Sequence, residues 1–244
     1  MKIGIVIPAR DEEETVGQVV QRCRLLVSWT DEIRIVVCDN GSIDGTRTEA
    51  DKAGAEVVYA SKFGYGLACL TAVGELGNWP DVLLFIDADG SSRPQEIQDL
   101  LVPIKEGRAD LVLEWRSSSV HMTFPQRWGT WLATRLIAWR WWGHSFQDIG
   151  PFRAITRHGY SRLGMKDRTW GWTVEIQVFA LIRRLRIQEV PVSWDRRVAG
   201  VSKISGTFSG VIRAGARTLW TIGCYASFSR DSTTPGTPGE DVSG

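Results

Sequence analysis

Short, mostly apolar runs alternate with helical patterns through the first half of the chain. The runs are Ile3–Ile7, Ile33–Cys38, Glu56–Tyr59, Val82–Ile86 and Leu111–Leu113, and each reads as a strand. Between the first two, Val16, Val19, Val20, Cys23, Leu26 and Val27 recur at helical spacing. Thr46–Ala53, Tyr65–Leu76 and Pro94–Glu106 read as further helices, the last with proline in its first turn. Strands that are apolar throughout and separated by helices predict an α/β fold with a mostly parallel central sheet covered on both faces. In such sheets ligands bind beyond the carboxyl ends of the strands, so the loops there are where chemistry is expected.

Those loops are rich in it. The first strand ends in Pro8-Ala9-Arg10-Asp11-Glu12, with no glycine fingerprint for a dinucleotide and no phosphate-cradling P-loop. The second ends in Asp39-Asn40-Gly41-Ser42-Ile43-Asp44-Gly45-Thr46. Asp39 can accept hydrogen bonds from a base or ribose, whereas Asp44 fits a turn or a helix cap as well as a ligand role. The fourth delivers Asp87-Ala88-Asp89-Gly90. Two carboxylates two residues apart repel each other, and a hard cation such as Mg²⁺ or Mn²⁺ relieves that repulsion while leaving positions for diphosphate oxygens. A turn with a capping aspartate explains the same three residues alone; their place among the other strand-end loops favours the metal.

Composition narrows the setting. The chain has 244 residues, 43% of them hydrophobic, which suits one compact domain. Met1-Lys2 runs straight into the first strand, so no secretory leader is expected. No apolar run reaches the ~18–20 residues needed to cross a bilayer. Cys23, Cys38, Cys69 and Cys224 lack metal-ligand spacing and sit in apolar patterns, as buried free thiols of a reducing compartment would. A cytoplasmic protein is expected.

The net charge of +1 hides an asymmetry: residues 1–114 carry 11 Lys/Arg and 20 Asp/Glu, residues 115–230 carry 18 and 5. The basic half implies an anionic partner or a solvated basic face. No nucleic-acid motif accompanies it. Twelve tryptophans stand in the chain, five of them between Trp128 and Trp142. Gln126–Gly143 reads as a helix with Trp128, Trp131, Leu132, Leu136, Trp139 and Trp142 on one broad face, interrupted by Arg127, Arg135 and Arg140. Phe208–Tyr225 is a second such helix. Core packing, an oligomer interface, sugar stacking and peripheral contact with the inner face of the membrane all fit this pattern. Residues 231–244 are small, polar and turn-rich, as a disordered tail would be.

Val6 to Glu12, Val37 to Thr46 and Phe85 to Gly90, in that order and spacing, resemble family 2 glycosyltransferases of the GT-A fold. The resemblance implies that Pro8, Ala9, Arg10, Glu12 and Asp39 line a pocket for a nucleotide-sugar donor, a UDP-sugar or GDP-mannose. It implies that Asp87 and Ala88 contact the donor and that Asp89, with Asp87, holds the metal. Lys62-Phe63-Gly64-Tyr65-Gly66 looks like the small-residue loop beside the nucleotide, Lys62 and Gly66 included. Asn40 stands where the family more often has a second aspartate, and Ser91 where its dolichol- and polyprenyl-phosphate sugar transferases usually have a glutamine.

In the second half, Asp148-Ile149-Gly150-Pro151-Phe152-Arg153-Ala154 and the stretch from Arg197 to Gly206 resemble the dolichol- and polyprenyl-phosphate sugar transferases. Arg153, Arg197, Ser202 and Lys203 are thereby implied to hold donor or acceptor phosphates, and a lipid phosphate becomes the preferred acceptor over a soluble or glycan hydroxyl. A module that binds nucleotide-sugar without turnover is the reading outside enzymology. Asp148, ahead of a Gly-Pro turn, and Glu175, in a helix expected to be capped by Thr173, are the two candidates for a catalytic base. A lipid phosphate, already anionic, would need no strong one. The expected organisation is one GT-A domain over 1–230, with a nucleotide half to 115 and an acceptor half after it.

Overall fold

The computed structural model describes residues 1–26, 31–116, 124–141, 145–193 and 220–225. Seven strands form one sheet in the order β3-β2-β1-β4-β6-β5-β7. β1 (Lys2–Ala9) pairs in parallel with β2 (Glu32–Asp39) and with β4 (Val82–Phe85), and β2 with β3 (Glu56–Tyr59). The register puts Ala9 beside Asp39. The strand-end loops expected to carry the chemistry therefore emerge side by side at one edge.

Beyond β4 the sheet changes character. β6 (Arg153–Thr156) runs antiparallel between β4 and β5 (Leu111–Arg116), and β7 (Ile187–Val192) returns parallel to β5. Neither β6 nor β7 is predicted by the apolar pattern. β6 is four residues long and begins with an arginine, and β7 is an edge strand carrying Pro191 and polar residues.

Alternation along the strands divides the core in two. Ile3, Ile5 and Ile7 face the layer of α1 (Val16–Leu26), α2 (Thr46–Lys52) and α4 (Ile97–Lys105). Val6, Leu83 and Phe85 face α3 (Tyr65–Leu76), α5 (Phe124–Trp141), α6 (Arg157–Leu163) and α7 (Trp172–Ile182). Each fully buried Ile, Leu or Phe contributes about 1.5–3 kcal/mol of transfer free energy. That double burial is why the strands read as unbroken apolar runs.

Helix bounds follow the sequence closely, with local exceptions. Pro94–Glu96 forms a 3-10 turn ahead of α4 instead of the helix's first turn. α2 is capped by the Gly45 backbone with no side-chain cap; Asp44 instead accepts hydrogen bonds from Thr46 N–H and Glu13 N–H, tying two loops together. α7 starts at Trp172 with Gly171 as its cap, so Thr173 lies inside it and donates to the Trp170 carbonyl. Cys23, Cys38 and Cys69 are buried free thiols, while Cys224 is exposed, in the short helical stretch 220–225. Most of the helix expected over 208–225, the 197–206 segment with Arg197, Ser202 and Lys203, and the tail after 230 lie outside the described residues. Among the described residues, no helix is long and apolar enough to cross a membrane.

Candidate active site

β1, β2 and β4 end together, and their loops hold one another in place. The Glu12 N–H donates to Thr46 Oγ1 at 2.8 Å, and the Asp11 N–H to Ser42 Oγ at 2.9 Å. Asp39 is fully buried at the end of β2. One of its oxygens accepts the Ser42 N–H, and the other pairs with Arg47 Nε at 2.6 Å. Arg47, whose guanidinium lies 4.6 Å from the Tyr59 ring centroid, is a neighbour that the motif reading missed; its only sequence signal is a basic residue one position into α2. Pro8 and Ala9 lie beside Cys38 and Asp39 in the sheet register, and Ala9 is buried. Arg10 reaches over the Phe63 ring at 4.2 Å, which brings the loops after β1 and β3 together.

The Asn40 position becomes intelligible here. Its amide donates to the Lys62 carbonyl and accepts from the Gly64 N–H, both at 2.8 Å. An aspartate could accept but not donate, so the neutral amide is what clamps the 62–64 loop. Both ends of the amide are spent on the protein. Gly66 is likewise spent on the chain itself: a Cβ there would lie 2.2 Å from the Asp167 carbonyl and 2.9 Å from the Trp172 Cβ. The close approach expected between Gly66 and a ligand is an approach to backbone 167–168. Hydrogen bonds from Gly66 N–H to the Thr169 carbonyl and from Leu67 N–H to the Arg168 carbonyl fasten the two loops together.

Asp87, Ala88 and Asp89 stand at the end of β4 as expected. Asp89 is buried and accepts both the N–H and the hydroxyl of Ser91, at 2.9 and 2.6 Å. Ser91, at the glutamine position, thus orients the carboxylate. Asp87 accepts a hydrogen bond from the Tyr65 hydroxyl at 3.0 Å. Tyr65 stacks on Trp170, with centroids 5.1 Å apart and planes 24° apart. Burial, then the Asp87 charge, raises the Tyr65 phenol well above its ordinary range, keeping it a donor. The link from Asp87 through Tyr65 to the 166–170 loop is not visible in the motif.

Of the second-half candidates, Arg153, Asp148 and Glu175 are described, and each is engaged with the protein itself. Arg153 is fully buried at the start of β6. Its guanidinium donates to the carbonyls of Gly150, Pro151 and Thr173 and lies 5.4 Å from the Trp172 centroid. It supports the site from beneath and presents no fork to a ligand. Asp148 is buried too, gripped by both arms of Arg116 at 2.6 Å. Glu175 accepts the N–H groups of Lys166 and Asp167 and the Tyr225 hydroxyl, the last at 2.6 Å, and so holds the 166–169 loop. Burial raises the Glu175 carboxyl above its usual range against those bonds.

Glu114, at the end of the apolar Leu111-Val112-Leu113 run, carries no motif signal, yet it is nearly inaccessible. It accepts the Phe152 N–H at 3.0 Å, and its second oxygen has no hydrogen-bond partner. Burial first, with Asp148 adding to it against Arg116 and Arg153, pushes its carboxyl up to about 8. Gly150 packs against it so closely that a Cβ would fall 1.9 Å from Glu114 Oε1.

A sheet whose parallel strands end in this corner, with paired aspartates after β4, is matched by the sequence profile of Glycosyl transferase family 2 over residues 4–190. The chain belongs to that family. An uncharacterized glycosyltransferase of Mycobacterium tuberculosis is 33% identical over 215 residues, 87% of this chain and 94% of the relative. The undecaprenyl-phosphate mannosyltransferase of Micrococcus luteus is 29% identical over 243 residues, covering 90% and 96%. The resemblance to the polyprenyl-phosphate sugar transferases thus extends over nine-tenths of this chain. The fold is shared with glucosyl-3-phosphoglycerate synthase from Mycobacterium tuberculosis, solved with Mn²⁺, uridine diphosphate and phosphoglyceric acid. That structure superposes with a TM-score of 0.76 at 21% identity, covering 95% of this chain and 80% of that one.

Proposed function

We propose that this glycosyltransferase is metal-dependent and inverting, moving a sugar from a UDP-sugar or GDP-mannose to a polyprenyl phosphate at the cytoplasmic face of the membrane. What carries the reading is the placement of Asp87 and Asp89 beyond a buried central strand, beside the Pro8–Glu12 and Asp39 corner. Among the described residues no three His, Cys, Asp or Glu side chains converge as a closed metal cage. Two carboxylates with room for diphosphate oxygens and water are the donor set that Mg²⁺ or Mn²⁺ takes in nucleotide chemistry. When bound, such an ion supplies charge to offset what develops on the departing nucleoside diphosphate.

This chain's residues then divide the work. Residues 1–115 form the nucleotide half: Pro8, Ala9, Arg10, Glu12, Asp39 and Lys62 border the nucleoside, and Tyr65 fixes the orientation of Asp87. Residues 116–230 form the acceptor half, with Arg197, Ser202 and Lys203 at the phosphate. Arg153 contributes positive potential from below. Asp148 and Glu175 are both committed to internal partners, which favours an acceptor oxygen that is already anionic and needs no strong base. The lipid-phosphate names of relatives support the same choice.

The test is transfer from labelled UDP-glucose or GDP-mannose to polyprenyl phosphate with Mn²⁺, read as label in the organic phase. Asp89→Ala is expected to abolish it. Undiminished turnover in that variant would refute the metal assignment, and label appearing only on soluble glycans would refute the lipid acceptor.

A further inference from the structure

α5 turns its tryptophans outward. Ala133, Ile137 and Trp141, spaced four apart, are buried on the side that packs on the core. The opposite side carries Trp128, Trp131, Arg135 and Trp139, at intervals of three, four and four, one row along the helix. These three indoles are 55%, 53% and 72% exposed. Globular surfaces scatter single large apolar residues, but a row of indoles on one exposed face marks a contact. The helix Phe124–Trp141 contains Arg127, Arg135 and Arg140 and no Asp or Glu. The Arg135 guanidinium lies 6.0 Å from the Trp131 ring centroid, so cation and indole are presented together.

We propose that this face of α5 is a docking surface for an anionic phospholipid bilayer, with the helix lying in the plane of the headgroups. Indoles settle at the level where an apolar body and a polar N–H are both satisfied, and guanidinium groups meet lipid phosphates there. A second copy of the chain fits worse. A two-fold contact through this face sets the same patch against itself, so Arg135, within the indole row, would meet its own copy with no helix carboxylate between them. A spanning arrangement is excluded for this helix, because it is not apolar enough to cross. The proposal deepens the lipid-acceptor reading and rests on it for its purpose, since a bound face would hold the site where a polyprenyl phosphate presents its headgroup.

The experiment is sedimentation of the full chain with vesicles of phosphatidylcholine alone or mixed with phosphatidylglycerol, without donor or metal. Binding to the anionic vesicles, a blue shift of tryptophan emission and release by salt are expected. W128S/W131S/W139S together should lower the partition coefficient at least about tenfold. Arg135→Glu alone should lower it and weaken the salt dependence. Circular dichroism and the melting temperature establish that both variants fold, and Arg135→Glu keeps the test decisive should the triple variant not. Equal binding by parent and variants overturns the proposal, as does equal binding to neutral and anionic vesicles, or a parent dimer that the triple variant dissolves. A chain that binds vesicles but transfers no sugar to lipid refutes the acceptor reading and leaves this surface standing. Transfer to a short, soluble polyprenyl phosphate without vesicle binding does the reverse.

Discussion

Replacing Glu114 by Gln isolates the energetic consequence of a carboxyl group buried at the end of β5. Its pKa rises from an ordinary 4.5 to about 8 because burial disfavours the charged form. The native state therefore retains a proton that the unfolded chain has released. Stability from this group is fully present below pH 4.5 and is lost as pH rises toward 8. Each pH unit in that window removes about 1.4 kcal/mol, so the whole interval is worth roughly 4–5 kcal/mol. With an unfolding entropy of about 2.1 cal/mol/K per residue, a chain of 244 residues loses ~3 °C of melting temperature per unit through this group. Gln cannot titrate, but it keeps an oxygen for the Phe152 N–H. Thermal melts of parent and Glu114→Gln at half-unit steps from pH 5 to 8, in EDTA, measure the difference. The parent curve should fall relative to the variant curve by that slope, whatever their absolute offset. Parallel curves would refute the reasoning, because they would mean that Glu114 titrates alike in both states.

Two further substitutions probe the loops that hold the site. Gly66→Ala should cost about 1–3 kcal/mol or more, since its methyl would overlap the Asp167 carbonyl; chemical denaturation at unchanged m-value measures it, and a neutral result would show that loops 64–67 and 166–169 are not locked. Arg116→Ala leaves the buried Asp148 carboxylate without its fork and should cost about 3–5 kcal/mol, with Arg116→Lys recovering part; an unchanged midpoint would mean that Asp148 is not held by this pair.

Local pattern in the sequence accounts for the first half of the fold. Five of its strands and the helices between them follow from local rules: a strand covered on both faces must be apolar throughout, and the residues that end it must be polar. Asp87 and Asp89 were legible for the same reason, as carboxylates released at the mouth of Val82–Phe85. Tertiary structure alone decided the rest. A side chain's exposure depends on which distant element covers it, and spacing along the chain is silent about that. Arg153 reads as a phosphate clamp until β4 and β5 close around β6 and its guanidinium meets three carbonyls. Gly66 reads as a ligand-facing glycine until the 167–168 backbone arrives from a hundred residues away. Asn40, Tyr65 and Glu114 acquire their roles only through partners at long separation. On α5 apolar side chains lie on both sides of the helix, so periodicity could not choose the inner face. Packing chose Ala133, Ile137 and Trp141, and it left Trp128, Trp131 and Trp139 in water.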